Sequence, residues 1–319
     1  MRIVKPLMTI GVKCFNQERY IGAALEAAYA QTYRPLEVVV SDDCSTDGSW
    51  DVIQQVAARH RNDAEIQTVL NRNAVNLGNM GNWMVIGKLS HGDWIVKADG
   101  DDISEPARVE RIAEALAQDG VGVEVVLHGA VKVDPDGNVI GSFPTRYACS
   151  PLGAVMTFSK RCFTEFPEPL DGRIVDDEVF ARRALMLGRE INLEEPLVRY
   201  RIGTGISSGL YDVREPELVC IRQLPLSLAQ SRRDLEWRRS KMDEGTYQDW
   251  RRRLDSDERE TLLYTRLLSA PTFRERWRSW RAVRKPAISR PGYYKLMIYL
   301  LPRRIGDWIL WLLGKVRYR

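Results

Sequence analysis

Histidine is scarce in this sequence and cysteine is unpaired. The three histidines, His60, His91 and His128, lie far apart, and the five cysteines stand at 14, 44, 149, 162 and 220 with no CxxC spacing. That scatter argues against a zinc site of Cys and His ligands, and an odd count argues against a disulfide scaffold. Reduced thiols in a cytoplasmic compartment are the simpler reading. No run of 18 clean apolar residues occurs, so no transmembrane helix is expected. Arg2 and Lys5 precede a short apolar stretch that reads as a strand and not as a signal peptide. Acidic residues are nearly missing from one region. Residues 271–319 hold 13 Lys and Arg against Glu275 and Asp307, a net charge of +11, whereas residues 1–270 carry a net −7. Such a split predicts a basic tail with its own partner, membrane lipid or nucleic acid.

What is present is ordinary for a globular protein. The 319 residues are 44% hydrophobic and 28% charged, enough for one large domain or a domain with an appendage. The first 120 residues alternate strand and helix. Strands are predicted at 8–14, 36–40, 66–70 and 94–98, with helices at 18–31, 49–60 and 79–89. This rhythm predicts an α/β fold with a mainly parallel sheet and helices on both faces. Strands then follow at 123–127 and 130–133. The run from Val131 to Ile140, with Asp-Pro-Asp-Gly-Asn between apolar positions, predicts a hairpin. A helix is expected near 176–188, and the chain beyond 213 reads as helical and charged.

Ligands of open parallel sheets bind at the carboxyl ends of strands. Two acidic clusters fall there, Asp42-Asp43 and Asp99-Gly100-Asp101-Asp102. The run from Asp43 to Ser49 reads equally as a turn and helix cap. The second cluster is harder to explain structurally. Three carboxylates in four residues repel one another, and a divalent cation such as Mg²⁺ or Mn²⁺ would relieve that cost. The spacing is not that of an EF-hand.

Several segments resemble, in order, those of family 2 inverting glycosyltransferases with the GT-A fold. These are Val12-Lys-Cys-Phe-Asn16, Gln31-Thr-Tyr33, Ser41-Asp-Asp-Cys-Ser-Thr-Asp-Gly48, Asn76-Leu-Gly78 and Asp99-Gly-Asp-Asp102. The resemblance spans about 5–205 and implies a GT-A domain over 1–210 with a helical, basic region over 211–319. It implies that Cys14, Phe15, Asn16, Glu18, Asp43, Asn76, Gly78, Asp99 and Gly100 border the nucleotide-sugar, a UDP-sugar above all. It implies a Mg²⁺ or Mn²⁺ ion on the diphosphate, held by Asp101 and Asp99. Lys13 stands where the family often has Pro, and Cys44 where it has Gly. Both departures bear on donor fit, and neither changes a ligand.

Val175-Asp-Asp-Glu178 resembles the family's "ED" segment, which implies that Asp177 is the catalytic base, with Asp176 beside it on the acceptor side. Read without the family, the same acids are an ordinary helix start. Glu195-Pro-Leu-Val-Arg-Tyr-Arg201 resembles "EPLVxYR", but Gly203 stands where many members carry a metal-reaching His. Acceptor contacts are expected from loops around 145–175 and from Trp83. Gln230-Ser-Arg-Arg-Asp234 has Asp in place of the Trp of the processive QxxRW motif, which implies addition of one sugar at a time.

The tail repeats apolar residues at helical spacing, Ile305, Trp308, Ile309, Leu312 and Val316, flanked by Arg303, Arg304, Lys315, Arg317 and Arg319. That pattern suits a helix lying on an anionic membrane surface. A core or dimer helix remains open, and so much Leu, Ile and Trp argues against nucleic acid. The expectation is a peripheral cytoplasmic enzyme that extends a lipid-linked or other saccharide acceptor for a cell-surface polysaccharide. The alternative is a nucleotide-sugar-binding or scaffold protein that keeps the fold without turnover.

Overall fold

The computed structural model describes residues 5–143, 153–171, 174, 176–204, 215–270 and 272–281. The chain divides into two compact units, Met1–Gly205 and Ile206–Arg319. The amphipathic tail at 293–319 lies outside the described residues, as do 144–152, 172, 173 and 175 of the stretch expected to supply acceptor contacts and the part of the Gly203 loop from 205 onward.

The first unit begins with β1 (Met8–Cys14), α1 (Glu18–Tyr29), β2 (Leu36–Asp42), α2 (Ser49–His60), β3 (Ile66–Arg72), α3 (Gly78–Leu89) and β4 (Trp94–Asp99). β1 and β2 are buried along their whole lengths, as strands covered on both faces must be. Ile21, Ala24, Leu25 and Ala28 form the buried stripe of α1. β5 (Ile103–Ser104), α4 (Arg108–Asp119), β6 (Val123–Val133), β7 (Val139–Phe143), β8 (Met156–Ser159), α5 (Arg161–Thr164), α6 (Asp176–Leu187) and β9 (Arg189–Arg201) complete the unit.

One nine-stranded sheet runs in the order β3, β2, β1, β4, β8, β6, β9, β5, with β7 paired to β6. β1 to β4 are mutually parallel where they pair, and β6 is parallel to β9. β8 is antiparallel to both β4 and β6, so the sheet is mixed. This is the expected α/β arrangement. The two strands predicted at 123–127 and 130–133 are one strand, β6, whose pairing with β9 shifts register around Leu127 and Gly129. The hairpin between 131 and 140 is present as β6 and β7.

The second unit contains α7 (Glu215–Arg238), α8 (Glu244–Ser269) and α9 (Phe273–Arg281). Asp243 caps α8 by accepting from the Thr246 amide. Gln230 donates to Asp234 one turn later at 2.7 Å, with both side chains buried. Among the described residues, no helix is long and apolar enough to cross a membrane.

Candidate active site

Parallel register pairs Lys13 with Asp99 and Gly11 with Lys97. Alternation along the strands therefore puts Lys13, Lys97 and Asp99 on one face at the carboxyl ends of β1 and β4. The first turn of α6 brings Asp176 and Asp177 to them. Lys13 Nζ lies 3.3 Å from Asp99 Oδ1 and 3.2 Å from Asp176 Oδ2, and donates to Asn79 Oδ1 at 3.3 Å. Lys97 Nζ lies 2.6 Å from the same Asp176 oxygen and donates to Asp177 Oδ1. Charges thus alternate through Asp99, Lys13, Asp176, Lys97 and Asp177.

Buried ions persist only when paired, and each ammonium here touches two carboxylates. Burial works against the Lys97 charge, but Asp176 and Asp177 outweigh it and hold the ammonium well above the ordinary lysine value. Burial also works against the Asp176 charge, yet Lys13 and Lys97 together keep that carboxyl at about 2. Asp177 differs. Burial, opposed by Lys97 and reinforced by the Asp176 charge, pushes it up to about 6.

Two further groups hold this corner. The Gly153 amide donates to Asp177 Oδ2 at 3.1 Å. A Cβ at 153 would overlap Asp177 Oδ1 and approach Lys97 Nζ to 2.5 Å, so only glycine leaves room for the ion pair. Arg108, wholly buried at the start of α4, donates to the carbonyls of Lys97 at 2.9 Å and Ala154 at 2.7 Å. Its guanidinium ties the strand that carries Lys97 to the segment that carries Gly153.

Asp101 Oδ2 accepts from Thr204 Oγ1 at 2.9 Å, and Asp102 Oδ1 accepts from the Arg201 amide at 2.8 Å. Burial, then the Asp99 charge, pushes Asp101 up to about 6. The same two causes, with Asp101 added, raise Asp102 well above the carboxylate range, and Asp102 Oδ2 is buried without a partner. The crowding read from the sequence is thus relieved at Asp99 by Lys13 and persists at Asp101 and Asp102. Asp99 is 27% exposed and Asp101 is buried, and these are the two carboxylates that the resemblance assigns to a divalent cation. Mg²⁺ sites commonly use one or two carboxylates with the remaining ligands from substrate phosphates and water. Among the described residues, no group of three His, Cys, Asp or Glu is arranged to hold a metal by itself. Gly203 takes φ +91° and contributes no side chain, while its neighbour Thr204 reaches Asp101.

On the predicted nucleotide side, Asp43 is buried and saturated on one oxygen. Oδ1 accepts from Asn73 Nδ2 and the Leu77 amide, both at 2.8 Å, and Oδ2 accepts from the Gly78 amide at 2.9 Å. Asn76 joins the same group through the Asp43 carbonyl at 3.3 Å. Asn16, at φ +52°, accepts from the Thr46 amide, and Glu18 accepts from the Gly48 amide at 3.0 Å. Asn16 and Glu18 line one open hollow of about 600 Å³ with Gln17, Tyr20 and Asp47. Phe15 is 36% exposed at the end of β1. Gly100 lies so close to β1 that a Cβ would sit 2.8 Å from the Lys13 carbonyl.

Two expectations need correction, and a third narrows to the backbone. Trp83 is wholly buried, edge-on to Phe163 and Phe180 beneath the Lys97 ammonium, so it offers no surface to an acceptor. Asp176 is enclosed by the two lysines and is only 1% exposed, so it serves them and not the acceptor. The Cys14 thiol points into the core, and burial pushes it up to about 12. Its carbonyl, which accepts from the Asp43 amide at 2.8 Å, is what it contributes near the site.

Lys97 and Arg108 carry no role in the sequence, Gly153 and Thr204 enter only as members of loops, and Lys13 enters only as a departure from pattern. Lys13 and Lys97 did leave a signal, because each is a charge inside a mostly apolar run, MTIGVKC and WIVKA.

Residues 9–169 match the family model described as Glycosyl transferase family 2. Among curated relatives, the chain is 30% identical over 96 residues to the Escherichia coli protein "UDP-Glc:alpha-D-GlcNAc-diphosphoundecaprenol beta-1,3-glucosyltransferase WfaP", covering 30% of this chain and 36% of that one. The chain spans 19% to 64% of the first curated relatives it matches. Among solved structures, Staphylococcus aureus TarS 1–349 in complex with UDP-GlcNAc superposes with a TM-score of 0.56 at 17% identity, over 93% of this chain and 82% of that one. The mannosyltransferase PcManGT of Pyrobaculum calidifontis, in complex with GDP-Man and Mn²⁺, gives 0.55 at 19%, over 96% and 87%. At such identities the two structures speak for the fold alone. The chain belongs to glycosyl transferase family 2.

Proposed function

We propose that the protein transfers one sugar at a time, with inversion, from a nucleoside-diphosphate sugar to a hydroxyl of a saccharide acceptor. One observation carries the reading. The donor-side carboxylate Asp99 and the carboxylate Asp177 belong to a single cluster at the carboxyl ends of β1 and β4, joined through Lys13, Asp176 and Lys97. Asp177 accepts the proton of the acceptor hydroxyl as its oxygen bonds to the anomeric carbon. The bond from that carbon to the diphosphate breaks on the opposite face, so no covalent sugar–enzyme intermediate forms. Asp99 and Asp101 would hold Mg²⁺ or Mn²⁺, which supplies Lewis-acid stabilisation to the departing diphosphate when bound. Asp43, Asn16 and Glu18 lie on the side proposed for the nucleoside.

The name of the relative WfaP, with UDP-glucose as donor and a diphosphoundecaprenol-linked acceptor, supports a UDP-sugar donor and a lipid-linked saccharide acceptor; a role in cell-surface polysaccharide synthesis is part of the proposal. PcManGT, solved with Mn²⁺, supports the metal. Asp234 at the position of the processive Trp supports single addition. The basic tail supports a peripheral place on the inner face of the cell membrane.

A donor screen that follows nucleoside diphosphate release with Mg²⁺ and Mn²⁺ tests the reading. Asp177→Asn should lower kcat by on the order of 10²–10⁴-fold, and Asp101→Ala should raise the metal concentration needed for half-maximal rate. Full transfer by both variants would refute the assignment. The alternative, a protein that binds nucleotide-sugar without turnover, draws on Gly203 at the position of the family's His. Metal-dependent donor binding with no transfer and no donor hydrolysis, across a broad acceptor panel, would favour it.

A further inference from the structure

Lys97 is an expensive residue to bury on a central strand. Its side chain is 2% exposed, lies over the Trp83 ring with the ammonium 5.7 Å from the centroid, and spends its donors on Asp176 and Asp177. Nothing in strand packing calls for an ammonium at that position, where Val or Ile would satisfy a covered sheet. The surroundings are instead shaped around it. Gly11, paired with Lys97 across the ladder, leaves the space that Ile86 and Trp83 fill beneath it, since a Cβ there would sit 2.5 Å from Ile86 Cγ2. Gly153 leaves space on the far side and gives Asp177 its second hydrogen bond. Arg108 bonds the backbone on both sides, at Lys97 and Ala154. Asp177 is therefore gripped at Oδ1 by an ammonium and at Oδ2 by an amide, and both donors are braced by one buried guanidinium.

We propose that Lys97 is the positioning residue for Asp177, orienting its carboxylate toward the acceptor hydroxyl with the Gly153 amide as the second anchor. The inference rests on the reading of Asp177 as the base and adds a residue to it. Lys97 itself need touch neither donor nor acceptor. It acts through the carboxylate it holds, and Asp176 serves as the counterion that keeps the ammonium in place. Fixing a reacting group within about 0.5 Å is worth large rate factors, because a displacement near 1 Å can cost about 100-fold.

Steady-state kinetics of four variants separate the possibilities. Asp177→Asn alone tests the base, and retention of wild-type kcat in that variant defeats the base reading and this inference with it. With the base confirmed, Lys97→Met should lower kcat on the order of 10- to 100-fold while donor KM stays within about two-fold. Lys97→Met placed in the Asp177→Asn background should lower the residual rate by less than about two-fold, because groups acting as a unit are non-additive. A purely structural lysine would instead lower both backgrounds alike. Wild-type kcat in Lys97→Met, a rise in donor KM at constant kcat, or equal losses in the two backgrounds would each overturn the proposal and leave Asp177 as base. Gly153→Ala disturbs the same carboxylate from the opposite side and covers the case in which Lys97→Met does not fold. It should reproduce the fall in kcat at unchanged donor KM, and full activity in Gly153→Ala would count against the grip on Asp177.

Discussion

Asp176 and Asp177 are neighbours in sequence with opposite proton affinities, and the cause is who their partners are. Asp176 shares two ammonium groups and stays ionised, held at about 2 against the effect of burial. Asp177 touches one ammonium, lies beside the charged Asp176 and is pushed up by burial to about 6. A base must be ionised to accept a proton, so its working limb lies on the alkaline side of its own pKa. Transfer should therefore fall as pH drops through about 6, with the kcat profile losing at least one decade per pH unit below that point, since Asp101 is raised to about 6 as well. A kcat profile flat down to pH 5 would contradict the assignment. None of this was readable from the string Asp-Asp-Glu, which resembled a helix start as much as a catalytic segment. The family resemblance pointed to Asp177. Each lysine stands out as a charge in its strand, but that the two act together depends on the alignment of β1 and β4, because Lys13 and Lys97 are separated by 84 positions and meet through Asp176.

At the scale of elements, the connection between β2 and α3 shows how a site residue also builds the fold. α3 has no side-chain cap of its own, and Asp43 from beyond the end of β2 accepts from its first amides, Leu77 and Gly78. Anionic groups at a helix N-terminus are favourable, and buried donors left unpaired are costly. Asp43→Ala should therefore destabilise the protein by about 1–3 kcal/mol, seen as a lower midpoint in urea, together with a higher donor KM. A raised KM with an unchanged midpoint would mean that Asp43 serves the ligand alone. The sequence reading treated this acidic run either as a turn or as a nucleotide contact, and the geometry shows that the structural role is present. The legibility of elements follows the same physics. β1, β2 and the interior of β4 are covered on both faces, so their apolar runs stand out against amphipathic helices, whereas β3 is a half-exposed edge strand. β5 has two residues, β8 has four, and β9 is half-exposed with charges along it, so none carries a clear period. Their places in the sheet depend on long-range pairing that local sequence does not encode. α4 also escaped the reading, although its buried Val109 and Ile112 lie at helical spacing.

At the scale of the molecule, charge is segregated. Residues 1–270 carry a net −7 and residues 271–319 a net +11, so an anionic bilayer repels the first part and attracts the second. Each Lys or Arg near an anionic surface contributes about 1 kcal/mol, and that attraction falls off within a Debye length of roughly 8 Å at physiological salt. Apolar insertion of Ile305, Trp308, Ile309 and Leu312 would add a part that salt does not screen. The two contributions separate experimentally. The full chain should sediment with vesicles containing anionic lipid, much less with zwitterionic vesicles, and should be partly released by raising salt. Deletion of 293–319 should abolish sedimentation while donor binding, which depends on residues of the first unit, stays intact. α9 retains Arg274, Arg278 and Arg281 with exposed Phe273 and Trp277, so the deleted protein also tests whether that short helix suffices by itself. Unchanged sedimentation after deletion would remove the tail from the membrane reading, and loss of donor binding would show that the tail supports the catalytic unit instead.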